Sequence, residues 1–108
     1  MTWRSVARVG SLAPGDVVGV EIDGVQMALG RDGDRYFATQ RQCVHRGGDL
    51  SEGIVSRGHL ICPNHGWRFS TATGQSADAS EYCVKTFPVR VTGDEIEVDS
   101  VPTERKSP

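Results

Sequence analysis

Two short segments of the 108-residue chain carry side chains with metal-binding chemistry: Cys43-Val44-His45-Arg46-Gly47-Gly48 and Cys62-Pro63-Asn64-His65-Gly66-Trp67. Each sets one thiol and one imidazole almost side by side, and sixteen residues, Arg46 to Ile61, separate the two pairs. Four such donors in two loops could hold a tetrahedral zinc ion, for which two cysteines and two histidines are a common structural set. The usual zinc finger, however, pairs Cys with Cys and His with His. A mixed pair in each segment suits an object with two chemically different ends. A [2Fe-2S] cluster is such an object, because two thiolates can bind one iron and two imidazoles the other. On that reading the segments are jaws, each reaching both irons.

The pattern C-x-H followed by C-x-x-H-G, within CVHRGGDLSEG and CPNHGWRF, resembles the Rieske domains of ferredoxins and oxygenases. The resemblance runs on through TATG at 71–74 and FPVRVTGDEIEV at 87–98, and so covers nearly the whole chain. It implies one [2Fe-2S] cluster held by Cys43, His45, Cys62 and His65. It also implies a small cluster-binding β subdomain on a larger β scaffold, and a one-electron shuttle from a ferredoxin reductase to a terminal oxygenase. Docking would be transient and centred on His45 and His65. A diferric cluster with two thiolates is formally neutral, whereas four thiolates would leave it at minus two. Rieske centres accordingly lie at roughly −150 to +300 mV, against about −400 mV for plant-type ferredoxins. The high-potential respiratory members carry an extra cysteine in each loop, joined as a disulfide, with serine and tyrosine hydroxyls directed at the cluster. Here those places hold Gly48 and Asn64, with Trp67 and Phe69 after the second loop. The expectation is therefore a low potential, about −100 to −150 mV.

Other residues near the motif have plainer readings. Gly47, Gly48 and Gly66 would let the backbone approach the cluster, and Pro63 would stiffen the second loop or simply turn it. Trp67 either covers one face of the cluster or points inward from a strand. Arg46 and Arg68 are surface arginines or part of a docking rim. Cys83 matches no ligand position and is expected to be a small buried hydrophobe, and His59 to be structural or at the surface.

The elements that must position these loops read as all-β. Turn signals recur every eight to twelve residues, from Pro14-Gly15-Asp16 and Asp23-Gly24 to Thr73-Gly74 and Gly93-Asp94. Between them the alternation Val18, Val20, Ile22 and Val25, Met27, Leu29 has the period of half-buried strands. Asp23-Gly24 predicts a hairpin over 17–29. Further strands are expected at 35–39, 54–56, 59–62, 67–70, 87–91 and 95–98. Pro88 should lie at an edge or donate no ladder bond. The fold class is thus all-β: an antiparallel, sandwich- or barrel-like scaffold forming one domain over 1–100, with an inserted cluster-binding subdomain at about 42–73. Residues 101–108, polar and with two prolines, read as a frayed tail.

Composition narrows the function classes. A formal net charge of −2 with interspersed signs gives no basic face for nucleic acid or for a membrane surface. No apolar run reaches signal-peptide or membrane-span length, and three cysteines fit metal ligation in a reducing compartment better than a secreted disulfide framework. A cytoplasmic protein is expected. It should not be an enzyme: with His45 and His65 committed, only His59 is left for a mononuclear iron site, and no G-x-G-x-x-G nucleotide fingerprint occurs. A Rieske-like small subunit of a larger reductase, such as assimilatory nitrite reductase, is the nearest alternative. A structural zinc module is a remote one.

Overall fold

A computed structural model describes residues 3–43, 48–64, 66–78 and 81–102. Its strands are β1 (Trp3–Arg8), β2 (Val17–Ile22), β3 (Val25–Asp32), β4 (Arg35–Gln40), β5 (Ile54–Ser56), β6 (His59–Ile61), β7 (Arg68–Ser70), β8 (Thr86–Phe87), β9 (Val89–Thr92) and β10 (Glu95–Asp99). All pair antiparallel, in three sheets ordered β1-β10-β9, β2-β3-β4-β8 and β5-β6-β7. Two hairpins are set by the same turn chemistry. Asp23 and Gly24 have φ of 50° and 82°, and Arg57 and Gly58 have 50° and 78°. Two consecutive left-handed residues are what a type I′ turn requires. The first turn fixes Val17 opposite Gly30 and Ile22 opposite Val25, and the second fixes Ser56 opposite His59.

The alternation of β3 explains how the sheets stack. Met27 and Leu29 enter a core cluster with Ile22, Ala38, Phe87, Ile96 and Val98, which joins the four-stranded sheet to β10. Ala28 faces the other way, into a second cluster with Phe37, Leu50, Leu60, Phe69 and both motif cysteines. Both faces of the strand are thus covered, and Met27, Ala28 and Leu29 are all fully buried. Phe37 lies directly over Gly30, where any Cβ would run into its ring. Away from the motif, the Thr71 hydroxyl accepts from Arg35 Nη2 at 2.7 Å and reaches Asp32 Oδ2 at 3.2 Å, tying the β3–β4 turn to the chain leaving β7.

Three features differ from the sequence-based expectations. Strand β1 was not expected, because its pairing with β10 shifts register between Ser5 and Ala7. Val6 and Ala7 therefore both sit half-buried in succession and the period-two signal is lost. The strand expected at 87–91 is two strands. Pro88 breaks it at the point where the chain passes from the four-stranded sheet to the β9 edge, and its carbonyl accepts from Asp99 N–H at 3.1 Å. Cys83 is exposed rather than buried. In the alternating run Cys83-Val84-Lys85 the inward place is taken by Val84, which is fully buried. Of the tail, Val101 and Pro102 are exposed, and 103–108 lie outside the described residues.

Candidate metal centre

Two turns of equal length carry the cysteines. In the first, Gln42 and Asp49 bridge antiparallel, Cys43 N–H donates to the Gly48 carbonyl at 2.8 Å, and Leu50 N–H donates to the Arg41 carbonyl at 2.7 Å. In the second, between β6 and β7, Cys62 N–H donates to the Trp67 carbonyl at 2.8 Å. Each turn is thus closed by a bond from the cysteine amide to the carbonyl five residues on. Gly66, at φ 73°, turns the second loop back and donates to the Cys62 carbonyl at 3.1 Å. Its amide is occupied in closing the turn.

Both thiols are 2% exposed and belong to the same core cluster. The loops meet at Gly48: a Cβ there would stand 3.0 Å from Cys62 Sγ and 2.9 Å from Asn64 Nδ2. Glycine at 48 therefore leaves room beside the Cys62 sulfur that any other residue would fill. Two buried thiols at the bases of abutting loops, with space kept at one sulfur, fit the thiolate end of an iron–sulfur cluster. His45 and His65 lie outside the described residues, as do Arg46 and Gly47. The structure thus brings together the two cysteines of the expected ligand set.

Around this floor, Trp67 is half-buried and packs against the core cluster, its ring 5.3 Å from Tyr82 in an edge-to-face contact and 6.5 Å from Phe69. It points inward from the start of β7 and closes that side of the second loop. Arg68 is not a free rim cation: Nη2 reaches Asp78 Oδ1 at 3.1 Å, and its backbone N–H donates to Asp78 Oδ2 at 2.8 Å. The Arg68 hydrogen bond holds the Asp78 carboxyl below its ordinary pKa. His59 stays local, Nδ1 lying 3.1 Å from the Arg57 carbonyl.

Sequence reasoning passed over Arg41 and Asp49, which flank the first loop. Arg41 Nε lies 3.1 and 3.2 Å from the two Asp49 carboxylate oxygens, and Nη2 lies 3.1 Å from Oδ2. Asp49 Oδ1 also accepts from Ser51 N–H at 2.9 Å and Ser51 Oγ at 2.6 Å, capping the short 3-10 turn Leu50–Glu52. The Arg41 hydrogen bond is the leading cause that lowers the Asp49 pKa. An open cleft of about 760 Å³ runs beside this pair, with Gln26, Gln40, Gln42 and Lys85 among its walls. Their placement on either side of Cys43 was the available signal, but an Arg and an Asp eight apart mean nothing until the chain is known to double back between them.

A β framework that offers two buried thiols from abutting loops suits a small metal-binding domain. Residues 2–88 match the Rieske [2Fe-2S] domain, and the chain belongs to that family. It carries one Rieske [2Fe-2S] cluster, which sets aside the zinc-module reading. The chain is 30% identical over 98 residues to the ferredoxin component of the naphthalene 1,2-dioxygenase system of Pseudomonas aeruginosa, covering 90% of this chain and 94% of that protein. A solved complex of reduced oxygenase and oxidised ferredoxin in carbazole 1,9a-dioxygenase gives a TM-score of 0.87 at 30% identity, covering 95% of this chain and 97% of that one. A structure assigned as the small subunit of an NADH-dependent nitrite reductase from Mycobacterium tuberculosis gives 0.84 at 30% identity, covering 90% and 93%.

Proposed function

We propose that this protein is the ferredoxin of an oxygenase system, taking single electrons from a reductase and passing them to a terminal oxygenase in the cytoplasm. The observation that carries this is the likeness, over nearly the full length of both chains, to ferredoxins of dioxygenase systems. Cys43 and Cys62 are assigned to one iron and His45 and His65 to the other, within a cluster-binding subdomain of about 42–73. The bound cluster supplies reversible one-electron exchange at a formally uncharged site. The chain's own residues do the rest. The core around Cys43 and Cys62 keeps water from the thiolate end, Gly48 leaves room beside the Cys62 sulfur, and Trp67 closes the flank of the second loop. Docking is expected to be small and transient, below about 1,200 Å² and centred on His45 and His65.

A low potential is part of this reading. Gly48 and Asn64, the places that hold the disulfide cysteines in high-potential relatives, face each other here, and neither carries sulfur. The purified protein should be reddish-brown, contain iron and acid-labile sulfide, and titrate at about −100 to −150 mV. A midpoint above about +100 mV would overturn the low-potential reading. The His65→Ala protein is expected to lose the Rieske EPR signal, and an unchanged signal would refute the ligand assignment. The likeness to the nitrite reductase small subunit favours a second reading, a fixed component of a reductase. Isolation from the native cell decides between them: a free monodisperse carrier supports the ferredoxin, and a stoichiometric complex with a large reductase subunit supports the other.

A further inference from the structure

The backbone bonds across the neck of the first loop set its register and the distance between its stems. A chain of side chains braces the same two stems from outside. Glu21 on β2 accepts from Gln26 Nε2 on β3, Gln26 Oε1 accepts from Arg41 Nη1 at 2.9 Å, and Arg41 grips Asp49 with Nε and Nη2 together. Asp49 in turn holds Ser51 and the buried Leu50 turn. Such a fork engages both carboxylate oxygens and fixes orientation as well as distance. The guanidinium reaches this position because residue 19 is glycine: a Cβ at 19 would stand 2.8 Å from Arg41 Cζ. On the far side of the grip, Asp49 follows Gly48 directly, and Gly48 lies beside Cys62 Sγ and Asn64, where an added Cβ would meet both.

We infer that Arg41 and Asp49 are positioning residues for the cluster: their ion pair clamps the stems of the Cys43–Gly48 loop and, through Gly48, sets its approach to the Cys62 thiol. This rests on the assignment of Cys43 and Cys62 as ligands. Both act by holding the loop that carries Cys43. Gly19 is the remote end of the same device. Its φ is not in the left-handed region, and the atoms nearest an added Cβ there are those of the Arg41 guanidinium. The clamp can thus be disturbed from a strand twenty-four residues before Cys43 without altering the loop sequence.

The test uses the cluster-loaded full chain and four variants, Asp49→Ala, Gly19→Val, their double, and Glu97→Gln as a control. Glu97 belongs to the separate Arg90–Glu97 pair on the outer sheet. Bleaching of the visible absorbance in excess chelator and the g-values of the reduced EPR spectrum are measured for each. Asp49→Ala should bleach up to about tenfold faster, the lower end of what is lost when a bonded partner of a metal ligand is removed, with shifted g-values. Gly19→Val, which leaves the Asp49–Ser51 cap in place, should move both readouts in the same direction by a smaller factor. The double variant should be no worse than Asp49→Ala alone, and Glu97→Gln should match the wild type. Wild-type bleaching and g-values in Asp49→Ala, or in Gly19→Val should the other variant fail to fold, would overturn the clamp. An equal effect of Glu97→Gln would do so as well, by showing general destabilisation. A wild-type protein lacking a Rieske signal would instead sink the ligand assignment.

Discussion

Gly48 shows how much of a metal site can rest on a missing side chain. Its Cα faces the Cys62 sulfur and the Asn64 amide, and a methyl group added there would be 3.0 Å from the first. Real Cβ–sulfur contacts are longer, so either the loops part or the sulfur turns. The Gly48→Ala protein is expected to load less cluster and to show a broadened or shifted EPR spectrum, read against total protein by iron analysis. Full occupancy with an unchanged spectrum would mean that the loops yield at no cost. Gly66 offers a contrast, since its need for glycine comes from φ 73° and none of the described residues lies near its missing Cβ. The motif CPNHGW thus contains a glycine for conformation, and CVHRGG contains one for space. Sequence alone suggests both as close-approach glycines and cannot tell these reasons apart, because φ and neighbours are properties of the folded loop.

At the scale of elements, the third sheet holds the second loop only because the chain after β7 is pinned back. Gly74, at φ 80°, donates to the Ser70 carbonyl and accepts from Val84 N–H, each at 2.8 Å, and a Cβ there would strike the Val84 carbonyl. Gly74→Ala combines left-handed strain with overpacking, about 2–4 kcal/mol in all. A fall in Tm of at least about 8 °C is expected. Gly93→Ala has similar strain at φ 61° but open space around it, so it should lose less than half as much. Equal losses would show that the Val84 contact is irrelevant. TATG was legible as part of the resemblance, but the partner that makes its glycine necessary lies ten residues downstream. The same distance problem hid β1, whose bulge erased its alternation, and left Cys83 misplaced until Val84 was seen to take the inward position. Hairpins were easier: Asp23-Gly24 and Arg57-Gly58 encode their turns in adjacent residues, and their strands follow.

At the scale of the whole molecule, three carboxylates among the described residues are held below their ordinary pKa by arginine hydrogen bonds: Asp49 by Arg41, Asp78 by Arg68 and Glu97 by Arg90. A depressed folded-state pKa contributes stability that is fully present above the unfolded value and lost as pH falls through the folded one. Melting temperature should therefore hold from neutral pH down to about pH 4 and decline below it. These pairs are partly open to solvent on the arginine side, so their share is modest and weakened by salt. The Glu97→Gln protein, altered far from the cysteines, should show a shallower decline when Tm is followed by sheet circular dichroism. A decline as steep as wild type would remove Glu97 from the account. Electron transfer itself asks little of this scale beyond a firm platform, which the two cores on either face of the four-stranded sheet supply.

The amino-acid sequence by itself determined the family chemistry: the two Cys and His pairs proposed as ligands, their spacing, the absence of a second cysteine in either loop, and the turn residues that make the chain all-β. These are local quantities, written in neighbouring residues or in a short repeat. Only the tertiary structure decided which long-range contacts support that chemistry. Gly48 meeting Cys62, Arg41 reaching across the loop neck to Asp49, and Gly19 leaving room for that guanidinium are all meetings of residues far apart in the chain. No periodicity records them, because they exist only once the sheets have stacked and the loops have been brought face to face.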